Sequence, residues 1–351
     1  MESEVAVTGI KPTGDVHLGN YLGMFAPALR LAERRRTLCF VADLHALIGV
    51  RDPAAVRRRT REVAAAWLAL GLDPATTALY RQSDVPELSE LTWILSCFTA
   101  KGLLNRAHAY KAAVQRNRDA GREPDAGVTA GLYGYPVLMA ADILGVDAAE
   151  VPVGGDQLQH VEVARDVAGA FNAAHGPVLR LPAAVVDEGV PTVPGTDGAK
   201  MGKSADNVIP LLAGADRLRA AVMRIVTDSR PPSEPRDPAT DPVFAIFRLV
   251  AGDAEREDMR RRLEAGGLGF GDAKRELADL LAARFAGPQA RFAELVADPG
   301  EVERVLAAGA AAARQRAAAV MARVRAAVGL PGQPSAAPAT LASSERVFDM
   351  T

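Results

Sequence analysis

Apolar and polar positions alternate along the first half of the chain in two distinct rhythms. VAVTGI at 5–10 is a continuous apolar run feeding the turn-rich KPTGD, which predicts a buried strand and a loop. LGNYLGMFAPALRLAERRR, from about Gly19, has helical spacing with Pro27 inside it. LCFVADLHALI at 38–48 predicts a second strand, with His45 at its end, and a helix follows over about 53–70. A third strand is expected near 77–82, and LSELTWILSCFTAKGLLNRA (88–107) is helical again. Trp67 and Trp93 fall among apolar neighbours on these helices and are expected in the core. Strands alternating with helices at these lengths predict α/β units around a parallel sheet, whose ligands bind at the carboxyl ends of strands.

The rhythm then changes. AAVQRNRDAGREPDAGVTA (112–130) is polar and predicts a mobile surface connection. YPVLMAADIL (135–144) predicts a helix with Pro136 at its first position and Tyr135 on the cap side. On that helix Tyr135, Leu138, Met139 and Asp142 share a face. Past 181, Pro and Gly punctuate a loop system, and beyond about 210 only amphipathic helical patterns remain, to about 329.

With 49% hydrophobic and 24% charged residues, the composition is that of a soluble globular protein of roughly two or three domains. A net charge of −2 and a pI near 6.3 argue against nucleic-acid binding through bulk positive charge, and leave room for a local patch. Cys39 and Cys97 are too few for a disulfide framework or a Cys-rich zinc site. No apolar run reaches the ~18–20 residues that span a bilayer, and no signal-peptide pattern opens the chain, so a cytoplasmic location is expected. Only six of the 41 basic residues are lysine, and two of them, Lys200 and Lys203, share one short segment. In an arginine-rich chain a retained lysine marks a candidate site for a compact ammonium.

Four segments could carry chemistry. In GIKPTGDVHLGNYLG, glycines 9, 14, 19 and 23 would let backbone approach a ligand, and the helix start would offer free N–H groups to phosphate. The same residues also fit a plain capped turn. In Lys200-Met201-Gly202-Lys203-Ser204, two ammonium groups on a Gly-containing loop could stabilise charge on a leaving pyrophosphate, or simply face solvent. Asp142 lies in an apolar stripe, where a carboxylate must find a donor or become protonated. In Val151-Pro152-Val153-Gly154-Gly155-Asp156-Gln157, Asp156 suits a helix cap and Gln157 offers an amide. His108, His160 and His175 show no metal-site spacing, so no zinc is expected.

Taken in order, these segments resemble one family. His17-Leu18-Gly19-Asn20 is similar to the HIGH signature of class I aminoacyl-tRNA synthetases, and Lys200–Ser204 to their KMSKS signature. GYPVLMAADIL and VPVGGDQLQH between them resemble the tryptophanyl-tRNA synthetase family over about residues 5–330. The resemblance implies a Rossmann-like catalytic domain over 1–207, a helical anticodon-binding domain over 208–330 and a disordered tail over 331–351. It implies activation of L-tryptophan by ATP with Mg²⁺, transfer to tRNA(Trp), and a homodimer. The tyrosine enzyme, or a divergent adenylate-forming paralogue, is the alternative.

Site residues follow from the same resemblance. Lys200, Lys203, His17 and Asn20 are implied as catalytic. Lys11, Thr13, Gly19, Gly154, Asp156, Gln157 and Met201 join them around ATP. Asp142 would accept the indole N–H, with Tyr135, Met139, Gln157, His45, Val151 and Val153 completing the tryptophan pocket. Four positions depart from the family's pattern: Gly202, Gly155, Ala113 and Lys11. Gly202, where serine is usual, should loosen its loop. Lys11 would restore near the phosphates a charge that Ala113 removes. RNA contact is expected from Arg34–Arg36, from Arg57–Arg61 or from the arginine-rich helices after 210.

Overall fold

A computed structural model describes residues 4–154, 158–186 and 192–332. Among the described residues, five parallel strands form one sheet: β1 (Val5–Ile10), β2 (Arg36–Val41), β3 (Ala78–Arg81), β4 (Glu150–Val153) and β5 (Ala183–Val186), in the order β3-β2-β1-β4-β5. The expected α/β class is therefore what the chain adopts. The order reverses between β1 and β4, the place where open parallel sheets form a ligand crevice at their strand ends.

Helices cover both faces: α1 (Leu18–Asn20), running through a π-helical turn at Tyr21–Phe25 into α2 (Ala26–Ala32), then α3 (Asp43–Ala46) and α4 (Pro53–Ala69). They continue as α5 (Pro86–Ser96), α6 (Lys101–Leu104), α7 (His108–Asp119), α8 (Ala130–Leu144) and α9 (Leu158–His175). After β5 come α10 (Ala215–Met223), α11 (Pro242–Val250), α12 (Asp253–Ala265), α13 (Phe270–Ala297) and α14 (Gly300–Ala327). Two apolar cores lie on opposite sides of the sheet. One gathers Phe25, Trp67 and the helices after 210; the other gathers Phe40, Tyr80 and the inner faces of α5, α8, α9 and α14. The last helix thus returns to the sheet, packing along β3, where Gly309 leaves room for the Leu79 backbone.

Several local expectations are corrected. The 38–48 run is a strand only to Val41, the last residue paired with both neighbours; Asp43 then starts α3, so His45 sits on a helix. Most of the expected mobile connection at 112–130 is α7 and a turn held by buried Asn117, whose amide donates to the Pro124 and Ala126 carbonyls. Residues 88–107 form two helices, α5 and α6, rather than one. Pro136 lies inside α8 and Tyr135 is not at its cap, because Thr129 caps that helix six residues earlier by accepting from the Leu132 amide. A strand, β5, occupies part of the expected loop after 181. Trp67 is fully buried as expected, whereas Trp93 is 74% exposed on the outer face of α5. Of the expected tail, residues 333–351 lie outside the described residues.

Candidate active site

A cleft of about 1030 Å³ opens at the carboxyl ends of β1 and β4, where the strand order reverses. One end is walled by Phe40, by Met139, Asp142 and Ile143 from α8, and by Val151 and Val153 from β4. The other end is walled by His17, Gly19, Asn20, Lys200 and Met201.

At the apolar end, Asp142 is fully buried and Gln82 holds it. The Gln82 side-chain amide donates to both carboxylate oxygens at 2.8 Å and lies 3.0 Å from His45 Nδ1. His45 Nδ1 is 3.8 Å from the carboxylate. Burial pushes the Asp142 carboxyl well above the usual range, against the opposing effect of the Gln82 hydrogen bonds. Burial also lowers the His45 pKa, with Lys11 acting in the same direction. Burial thus disfavours the charged form of each group, which makes the hydrogen bonds they share with Gln82 the more important. Beside them the Tyr135 hydroxyl is 3.2 Å from His160 Nε2, and its ring meets His45 edge-on at 6.2 Å. Asp43 anchors the floor of this network by accepting from the Ser83 amide and hydroxyl.

At the polar end, the first signature pairs through backbone with the segment that follows the second. Val16–Leu18 runs antiparallel to Ile209–Leu211, with Leu18 N–H donating to Ile209 O at 3.0 Å and Leu211 N–H to Val16 O at 3.0 Å. His17 caps α1: its Nδ1 accepts from Asn20 N–H at 3.3 Å, and Asn20 Oδ1 accepts from His17 N–H at 3.4 Å. Burial, with the Lys203 charge adding to it, pushes the His17 pKa down to about 4, so the ring stays a neutral acceptor.

The lysine loop docks on this helix start. Gly19 N–H points at Met201 Sδ, 3.3 Å away, and Lys203 Nζ donates to Gly14 O at 3.0 Å. Burial lowers the Lys203 pKa. Asn207 holds the loop from beneath: it accepts from Gly202 N–H at 2.8 Å and donates to Asp197 at 2.8 Å and to Lys200 O at 3.1 Å. Gly195 allows this, since a Cβ there would stand 2.3 Å from the Asn207 amide. Gly202 itself is extended (φ −164°, ψ 144°) with open space around it, so the backbone does not require glycine there.

Ten of the expected residues line the one cleft: His17, Gly19, Asn20, Met139, Asp142, Val151, Val153, Gly154, Lys200 and Met201. Lys203, Tyr135 and His45 stand behind that wall in contact with groups near it, and Lys11 and Thr13 lie on the exposed turn after β1. Ala113 is buried in α7. Asp156, Gln157 and Gly155 lie outside the described residues. Gln82, Asp43, His160 and Asn207 are functional candidates that motif reading passed over. A polar residue directly after an apolar strand was the available signal for Gln82, in ALYRQS.

Comparison with known proteins agrees with this geometry. The family model for tRNA synthetases class I (W and Y) matches residues 2–286. The tryptophan–tRNA ligase of Pseudomonas aeruginosa is 52% identical over 330 residues, covering 92% of this chain and 73% of the relative. That of Neisseria meningitidis is 47% identical over 333 residues, covering 94% and 99%. The crystal structure of tryptophanyl-tRNA synthetase from Campylobacter jejuni, complexed with ADP and tryptophan, superposes with a TM-score of 0.85 at 39% identity, covering 93% of this chain and 100% of that one. On the ordered motifs, the cleft they build and these matches, the chain belongs to the tryptophanyl-tRNA synthetases of class I.

Proposed function

We propose that this chain joins L-tryptophan to ATP as tryptophanyl-adenylate, releasing pyrophosphate, and then transfers the acyl group to tRNA(Trp), releasing AMP. The observation that carries this reading is a fully buried carboxylate in an apolar wall, sharing one cleft with a lysine loop docked on a capped helix start. The carboxylate supplies the acceptor that an indole N–H needs. A phenyl side chain would leave it unpaired, and sites built around such a bond reject the wrong substrate strongly. Met139, Val151 and Val153 bound the ring; Tyr135 and Gln157 receive the α-amino group; His45 backs the same pocket through Gln82.

At the nucleotide end, His17, Gly19 and Asn20 receive ATP at the helix start, with Gly154 and Asp156 on the ribose side and Thr13 and Lys11 at the rim. The substrate carboxylate attacks the α-phosphorus in line, and the bond to pyrophosphate breaks. Lys200 and Lys203 stabilise the charge that collects on the departing phosphates, and Met201 seats the loop that carries them. Magnesium would accompany ATP as part of the nucleotide substrate, adding positive charge at its phosphates. In the second step a ribose hydroxyl of the tRNA attacks the acyl carbon and AMP leaves.

The same reading assigns residues 1–207 to catalysis and 208–330 to the anticodon side. Many arginines of α12 and α13 pair with carboxylates on their own surface, as Arg260 does with Glu257 and Glu264, so RNA contact depends on local exchange of these partners rather than on bulk charge. A homodimer is part of the proposal, and the exposed Trp93 is an apolar group that a second copy could cover. No helix among the described residues is long and apolar enough to cross a membrane; a cytoplasmic location is part of the proposal. Tryptophan-dependent ATP–pyrophosphate exchange, run beside tyrosine and followed by charging of tRNA(Trp), tests the reading. Exchange with tyrosine alone would overturn it.

A further inference from the structure

One row of side chains across the sheet is not explained by nucleotide binding. Gly9 of β1, Phe40 of β2 and Tyr80 of β3 are direct cross-strand partners on one face. Gly9 would be expected to bring backbone close to a ligand. Instead, a Cβ built on it would stand 2.3, 2.5 and 2.6 Å from three atoms of the Phe40 ring, well inside contact distance. Gly9 does not have a positive φ, so its own backbone does not call for glycine; its neighbour does. The far end of the Phe40 ring therefore occupies the space that the missing side chain leaves. From the other side it is stacked on Tyr80, with centroids 5.7 Å apart and planes at 25°, and Tyr80 is fully buried.

Held on both sides, the ring has one surface left, and that surface lines the cleft beside Met139, Asp142 and Val151. We propose that Phe40 is a specificity-determining residue: its ring, seated on Gly9, forms the sheet-side wall of the amino-acid slot, against which the indole of tryptophan packs. This rests on the tryptophan reading above and adds to it. Asp142 selects by hydrogen bond, and Phe40 selects by shape and aromatic contact, through a ring pinned before substrate arrives. Aromatic pairs in such settings add an increment beyond buried area, which sets the expected scale at about two- to tenfold.

The experiment is steady-state pyrophosphate exchange on wild type, Phe40→Leu, Gly9→Ala and the double variant, with KM measured separately for tryptophan and ATP. Phe40→Leu is expected to raise the tryptophan KM about two- to tenfold while moving the ATP KM less than twofold. Gly9→Ala, which keeps Phe40 but forces its ring off β1 into the slot, is expected to raise the tryptophan KM at least as much. In the double variant the clash is gone, so the Gly9→Ala effect should largely disappear, a non-additivity diagnostic of contact. Unchanged tryptophan KM in both single variants would overturn the proposal, as would strict additivity. A selective rise in the ATP KM would also overturn it, because Phe40 would then lie under the nucleotide. Should Phe40→Leu fail to fold, Gly9→Ala decides alone by the same split. Absence of tryptophan-dependent exchange in wild type is a separate outcome that overturns the tryptophan reading and this inference with it.

Discussion

The two ends of the cleft are built on opposite plans. At the end proposed for tryptophan, Asp142, Gln82 and His45 come from α8, from the turn after β3 and from α3, and all are buried, with Gln82 bonded to the other two. At the nucleotide end, the described contacts are mostly backbone to side chain: Met201 against the Gly19 amide, Lys203 on the Gly14 carbonyl, Asn207 under Gly202. A buried carboxylate tolerates no slack, because losing its donor leaves a costly unpaired group. A loop held by a few exchangeable hydrogen bonds can shift as phosphates arrive and depart. On the proposed reading, selection sits in a rigid core, and charge stabilisation sits on a loop held by a few exchangeable hydrogen bonds.

This contrast can be broken at either end. Asp142→Ala should lower tryptophan-dependent kcat/KM by about 10²–10³-fold, since it removes the indole acceptor and orphans Gln82. An unchanged preference for tryptophan over tyrosine and phenylalanine in that variant would remove the rigid-core half of the comparison. Lys203→Ala should cut kcat by about 10²-fold with a smaller change in the tryptophan KM, on the scale of losing one electrostatic stabiliser. Asn207→Ala should cut kcat by about tenfold by loosening the loop. Rescue by Asn207→Asp is expected to be only partial, because a carboxylate accepts from Gly202 but donates neither to Asp197 nor to the Lys200 carbonyl.

Two smaller effects sharpen the comparison. His17 titrates near 4 in the fold and near 6.5 when unfolded, so the unfolded chain takes up the proton first as the medium is acidified. Stability should therefore fall as pH drops from 6.5 towards 4, by roughly 2 kcal/mol once partial solvent access is allowed for. Urea midpoints for wild type and His17→Asn across that window check this, and the variant should show a shallower slope, with His45, also lowered, keeping its own part. Gly202→Ser should be the mildest change. The extended backbone and open space at Gly202 accept a side chain, and restricting the unfolded chain should stabilise by about 0.4–1 kcal/mol. A lower melting temperature would show that the loop needs glycine after all.

The alternation of apolar runs with helical spacing was enough to specify four things: the parallel α/β class, the first three strands, the long helices after 210 and the order of the signatures. These properties depend on local periodicity and on chemistry borne by single residues, which a linear chain displays directly. The partners of those residues were not legible. Nothing in TALYRQS marks Gln82 as the donor to a carboxylate 60 positions later, and nothing in VTGI shows that Gly9 is glycine for the sake of Phe40. Helix ends were also misplaced where a local signal met a stronger one, as when the Thr129 cap started α8 ahead of Pro136. Identity and spacing along the chain set which chemistry is available. Strand order and packing, which bring distant segments within bonding distance, decide which groups are neutral, which are held and which are free to move.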